Sequence, residues 1–282
     1  LDPYIAVEVR GAVSWHAGLG SERTKPAAND VLKSMPETLD HEVSRAIIDG
    51  WGWTFKEDGH YERSEAALSE WRKRLTVKLL EEYKGKLPDL IMLLESRIAT
   101  LNSIKMARHT DAGPFLAVIM DVSPKFTTLL GKHLLSTLTS PLVIWFGTVV
   151  SVMAKQDRLA SITLAQDALK KDEQIFAQTT AWSLGWGLHD LEDVPEEVAL
   201  IKTLASSSDP WTRHNIVRAV HRFPKDKKSV ALGILLSVDI SDSRQLADEV
   251  LGEFEEKYGT FKTEDLTDDQ LKKILNNLVR SP

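Results

Sequence analysis

Cysteine is absent from this 282-residue chain. That absence excludes thiol nucleophiles, Cys-ligated zinc and a disulfide framework, and it fits a reducing compartment, with the cytoplasm as the default expectation. A bilayer-length apolar run is also missing. The most apolar stretch, PLVIWFGTVVSVMA at 141–154, falls short of the roughly 20 residues that a spanning helix needs, and is expected to be a buried helix. Positive charge is in deficit: 41 acidic residues face 35 basic ones, and a net charge of -6 gives no general attraction to phosphate backbones or anionic lipid. The first residues, LDPYIAVEVRG, have neither an initiator Met nor the layout of a secretory signal, so Leu1 reads as a cut point within a longer protein.

What is present is apolar content of 43%, enough for a continuous core, spaced almost everywhere at three or four residues. Strand-like alternation is hard to find. The spacing predicts helices over 4–17, 25–35, 40–54, 61–84, 88–107, 113–121, 124–138, 141–154, 157–170, 172–188, 195–207, 210–223, 227–238, 242–257 and 267–279. Pro26, Pro88, Pro114, Pro124, Pro141, Pro195 and Pro210 fall near helix starts, several behind an Asp or Ser that can cap. Segments 55–60 and 259–265 read as polar turns. No low-complexity linker divides the chain, which predicts one elongated helical domain over 1–282.

Two neighbouring segments align with each other, VALIKTLASSSDPWTRHNIVRAVHRF from 198 and VALGILLSVDISDSRQLADEVLGEF from 230. Anchored on Arg213 and Arg244, the register is 31 residues; Ile216 then matches Ala247, and Val220 matches Leu251. The clearest repeats are 195–225 and 227–257. With its Asp209-Pro210 turn followed by Arg213, the pattern resembles the HEAT-type helical repeat, as do Val9-Arg10 behind Asp2-Pro3, and Asp40, Val43 and Arg45. That resemblance implies an all-α fold, an α-solenoid of antiparallel helix pairs in a right-handed superhelix, with about six or seven pairs in this length. It also implies a non-catalytic scaffold that receives a protein or peptide on its concave face, such as the recognition arm of a larger signalling NTPase. No cofactor is called for.

The Gly-Trp-Gly core of IDGWGW at 48–53 recurs in SLGWGL at 183–188. A phosphate loop needs glycine before a helix; here it follows one, so both copies are expected to end the second helix of a pair, with tryptophan filling the gap between layers. On helix 210–223, His214, Arg218, His221 and Arg222, continued by Lys225, form a basic strip opposite Ile216, Val217, Val220 and Phe223. Shifted by the repeat register, Arg218, Arg222 and Lys225 correspond to Glu249, Glu253 and Glu256, so the expectation is an inter-repeat charge ladder; a partner site for an acidic peptide or a phosphate is the alternative. Arg213 points by helical angle to the apolar side and needs a partner, with Asp209 or Asp239 the natural candidate and Arg244 its counterpart in the next repeat.

Two other functions are carried as alternatives. His189-Asp190, with His109 and His133 upstream and Asp209 and Asp226 downstream, is the residue set that an HD-type metal-dependent phosphohydrolase would use, although a two-letter motif is frequent by chance. DNA-repair glycosylases built on HEAT-like repeats cradle duplex DNA on a basic concave face, against which the net acidity argues. Zincin, phosphate-loop and serine-elbow patterns are absent.

Overall fold

The computed structural model describes residues 13, 21, 23–34, 38–48, 53–55, 61–63, 65–103, 111–187, 190–192, 194–238 and 254–259. Those residues are mostly helical, and they fall into two compact units. The first takes residues 1–130 and 139–142, the second residues 131–138 and 143–282. Among the described residues no helix is long and apolar enough to cross a membrane.

In the first unit, α1 (Thr24–Ser34) and α2 (Leu39–Ile48) are followed by a two-stranded antiparallel ladder, β1 (Trp53–Phe55) and β2 (Tyr61–Arg63). Then come α3 (Glu65–Glu82), α4 (Leu87–Ser103), α5 (Gly113–Val122) and the start of α6 (Pro124–Ser136). Helix α2 packs on α4, and α3 on α5. The apolar spacing of α5 shows why: Phe115, Leu116, Ile119 and Met120 recur on one face and are wholly buried. Its start is set by Pro114 and by Asp111, whose carboxylate accepts the Gly113 N–H at 3.1 Å. Ser123 performs the same office for α6, accepting the Phe126 N–H at 3.2 Å.

The ladder corrects the expectation of helices over 40–54 and 61–84. Helix α2 stops at Ile48, and Trp53 pairs with Arg63, Thr54 with Glu62 and Phe55 with Tyr61. The physical reason is turn chemistry: Asp58-Gly59 stands between two short runs rich in aromatic residues, a hairpin signal that outweighs helical spacing over so few positions. The first Gly-Trp-Gly copy, Gly50 to Gly52, lies outside the described residues, but it leads into a strand. It does not close a helix running to residue 54.

In the second unit the end of α6 is followed by a 3-10 turn, Val143–Trp145, where the sequence suggested that a helix starts at Pro141. Helix α7 (Phe146–Gln156) follows, then α8 (Arg158–Leu169), α9 (Gln174–Gly185), α10 (Pro195–Ala205), α11 (Pro210–Val220), a second 3-10 turn (Lys225–Lys227) and α12 (Lys228–Leu235); residues 254–258 are helical again. Helix α7 is buried on every side from Phe146 to Ala154, as a helix apolar all round must be. It packs on α9, and α9 on α11; α8 packs on α10, and α10 on α12.

Close approach is built into the first of these contacts. A Cβ at Gly147 would lie 1.9 Å from the Thr179 carbonyl oxygen, so only glycine allows α7 to touch the α9 backbone. One turn away the rings of Phe146 and Phe176 meet edge to face, with centroids 4.7 Å apart. Each wholly buried phenylalanine contributes about 1.5–3 kcal/mol by area. Contacts between α9 and α11 advance along both helices together: Gln178 reaches Asp209 at 3.3 Å, Gly185 abuts the Asn215 carbonyl, and the Gly187 carbonyl accepts from Arg222 at 3.3 Å. The two helices therefore run side by side in the same sense.

Candidate functional site

The start of α11 is a closed hydrogen-bonded corner. Asp209 caps the helix, its Oδ2 accepting the Thr212 N–H at 2.7 Å and the Thr212 hydroxyl at 2.6 Å. Its Oδ1 accepts from the side-chain amides of Gln174 and Gln178 on α9. Burial works to raise the Asp209 pKa, but the bonds from Thr212, Gln178 and Gln174 outweigh it and hold the carboxyl below the usual range. Arg213 is 1% exposed, as its helical angle foretold, and its guanidinium donates to the Ser207 and Ser208 carbonyls at 2.8 and 2.9 Å. Asp239 and Arg244 lie outside the described residues. Asp209 and Arg213 thus fasten the 205–213 turn from two sides, the carboxylate through Thr212 and the glutamines, the guanidinium through backbone carbonyls.

The end of α9 meets the basic strip. Helix α9 closes at Gly185, Trp186 sits at the C-cap, and Gly187 takes a left-handed φ of 67° with its N–H bonded to the Leu184 carbonyl. A Cβ on Gly187 would fall 1.6 Å from the Arg222 guanidinium carbon, so that side chain occupies the space which the glycine leaves. The helix-end reading of SLGWGL therefore holds for this copy. Trp186, however, does not fill an interior gap. It is 56% exposed, Trp182 is 36% exposed and Trp211 is 52% exposed. The rings of Trp182 and Trp186 lie 6.4 Å apart, the Arg218 guanidinium sits 5.4 Å over Trp186, and Trp211 stacks with His214 at 6.3 Å.

The basic strip is accordingly split by direction. Arg218 and Arg222 turn back to the end of α9. Lys225 and Glu256 are both exposed, while Glu249 and Glu253 lie outside the described residues. In the helical stretch 254–258, Lys257 donates to the Phe223 carbonyl at 2.8 Å, and the Tyr258 hydroxyl to the Val220 and Phe223 carbonyls at 3.0 and 3.1 Å. These side chains satisfy carbonyls at the C-terminal end of α11, where a cation is also favoured by the helix dipole. Burial pushes the Tyr258 hydroxyl up to about 12. Burial, and then the charges of Arg222 and Lys225, lower the Lys257 pKa.

The His-Asp candidate sits in a different corner. His109 and His189 lie outside the described residues; Asp190 is exposed and its backbone carbonyl accepts from Arg158 at 3.0 Å. Arg158 also bonds both oxygens of Glu197, at 3.0 and 2.9 Å, and Glu192 at 2.9 Å. Glu197 is 2% exposed and accepts the Glu192 N–H at 3.0 Å as well. The segment 190–192 is thus anchored to the starts of α8 and α10 by a buried ion pair. Among the described residues, no three His, Asp or Glu side chains cluster so as to hold a metal ion.

No family model matches this chain, and neither a curated protein nor a solved structure is found to match it. The site must be judged on its own chemistry. Sequence reasoning singled out the basic strip but missed the tryptophans that share its surface. The available signal was position: Trp182 and Trp186 are four apart, and Trp211, His214 and Arg218 recur at three and four, off the face already filled by Ile216 and Val220.

Proposed function

We propose that this chain is a HEAT-like α-solenoid acting as a non-catalytic protein-interaction module, and that the surface formed by Trp182, Trp186, Trp211, His214 and Arg218 receives the partner. The stacking of α7 on α9 on α11, beside α8 on α10 on α12, supports the solenoid reading. In such an array α9 and α11 line the concave side. The observation that carries the function is the exposure of three tryptophans beside an arginine on two adjoining helices. Indole surface is costly to leave in water, and tryptophan and arginine dominate binding hot spots.

Selection of a displayed 12-residue peptide library against the purified chain tests this reading. Peptides that bind the parent and lose at least tenfold in affinity to Trp186→Ala or Trp211→Ala, with melting temperature unchanged, are the expected outcome. If no peptide is enriched, or if enriched peptides bind both variants as well as the parent, the docking surface is elsewhere.

A further inference from the structure

From the charges around this surface, which rests on the docking reading above, we infer that the partner segment is acidic: a peptide whose carboxylates reach Arg218 and the cluster of Arg222, Lys225 and Lys257, while an apolar side chain lies on Trp186. Arg218 is exposed and lies over the Trp186 ring, a neutral group. Arg222 donates to a neutral carbonyl, that of Gly187. Lys257 also donates to a neutral carbonyl, that of Phe223. Lys225, exposed, stands near enough to Lys257 to disfavour its charge, as does Arg222. Among the described residues no carboxylate bonds to these four cations, which leaves a local positive potential on a chain whose net charge is -6.

That contrast of local and global sign selects the partner class. A long polyanion such as nucleic acid would meet the acidic remainder of the molecule, whereas a short acidic segment is attracted by the patch alone. The acidic neighbours Asp226, Glu255 and Glu256 are exposed and border the cluster, which limits the length of anion it can hold. Trp186 is 56% exposed, tilted 38° to Trp182 and covered in part by the Arg218 guanidinium, so it offers open apolar surface directly beside a cation.

The test uses the full chain and the peptides from the library selection. Enriched sequences carrying net negative charge are expected. A synthetic copy of the tightest one should lose tenfold or more when its Asp and Glu are changed to Asn and Gln, and a comparable amount against Arg218→Gln/Lys225→Gln, whose two side chains are exposed and whose fold is checked by circular dichroism. Affinity should fall as salt rises. Enriched peptides that are neutral or basic, yet still depend on Trp186, would overturn the acidic partner while leaving the docking surface intact. Displacement of the peptide by a single-stranded dT12 oligonucleotide at lower concentration than the unlabelled peptide itself would overturn it in favour of nucleic acid.

Discussion

Arg158→Met is expected to destabilise the second unit by about 2–4 kcal/mol. Removing one member of a buried ion pair typically costs about 3–5 kcal/mol, because the remaining charge is left desolvated. Here Glu197 is 2% exposed, so its carboxylate would keep the Glu192 N–H but lose the guanidinium that bonds both of its oxygens. Arg158 is 19% exposed, so its head already touches water, and the expected loss is shaded about 1 kcal/mol below that range. Glu197→Gln should cost less, about 1–2 kcal/mol, since the amide keeps an acceptor for Arg158 while Glu192 and the Asp190 carbonyl still receive the guanidinium. Arg158→Met/Glu197→Met should cost less than the sum of Arg158→Met and Glu197→Met, because neither charge is then stranded. Urea unfolding followed by tryptophan emission reads all four variants; Trp145, Trp182, Trp186 and Trp211 report on this unit. Raising the salt from 0.05 to about 0.5 M should change the coupling little, as a buried pair is poorly screened. Strict additivity, or a loss under about 0.5 kcal/mol for Arg158→Met, would refute the reasoning.

Gly147→Ala should cost roughly 1–3 kcal/mol or more, because its Cβ would strike the Thr179 backbone oxygen at 1.9 Å. Gly131→Ala should be close to neutral in the same denaturation assay, since the atom it meets, at 2.8 Å, is the end of the Leu164 side chain, which can rotate, and alanine favours the helix. Asp209 has a lowered native pKa, so its contribution is fully present above the ordinary carboxylate value near pH 4 and is lost as pH falls through the native value; the stability gap between the parent and Asp209→Asn should close over that window. For Tyr258 the shift is upward, so stability should decline between about pH 10 and 12, as the unfolded chain ionises first; an absorbance titration of Tyr258→Phe should lack the transition near 12.

The helical character of the chain and most helix starts were legible because they depend on local chemistry. Pro114, Pro124, Pro195 and Pro210 stand in first turns, and Asp157 and Asp209 cap as their side chains allow. The hairpin was not, because three-residue strands offer too few positions for alternation to show, and aromatic residues near Gly50 and Gly52 fit a helix end equally well. Arg213 was placed on the buried side by angle alone. Its acceptors were beyond reach of that argument, since backbone carbonyls of a turn carry no residue signature.

The basic strip shows the deeper limit. A register that matches Arg218, Arg222 and Lys225 with three glutamates predicts pairing only if each side chain prefers the following repeat to the preceding one. Arg218 has an indole behind it, and Arg222 has the space opened by a glycine with positive φ together with a free carbonyl. Both options are short-range; the exposed cation–π contact is worth about 0.5–1 kcal/mol, no less than an exposed ion pair across two repeats, which is worth at most about 1 kcal/mol. The glycine at 187 therefore decides more than a helix end: it gives Arg222 a position against the Gly187 carbonyl, next to the Arg218–Trp186 contact. Gly187→Ala, which forces a Cβ into the Arg222 guanidinium and strains a left-handed residue by about 1–2 kcal/mol, should weaken peptide binding along with stability. Gly187→Ala/Arg222→Ala should relieve the clash and regain the part of the stability that exceeds the backbone strain; no regain would show that the two groups do not share that space.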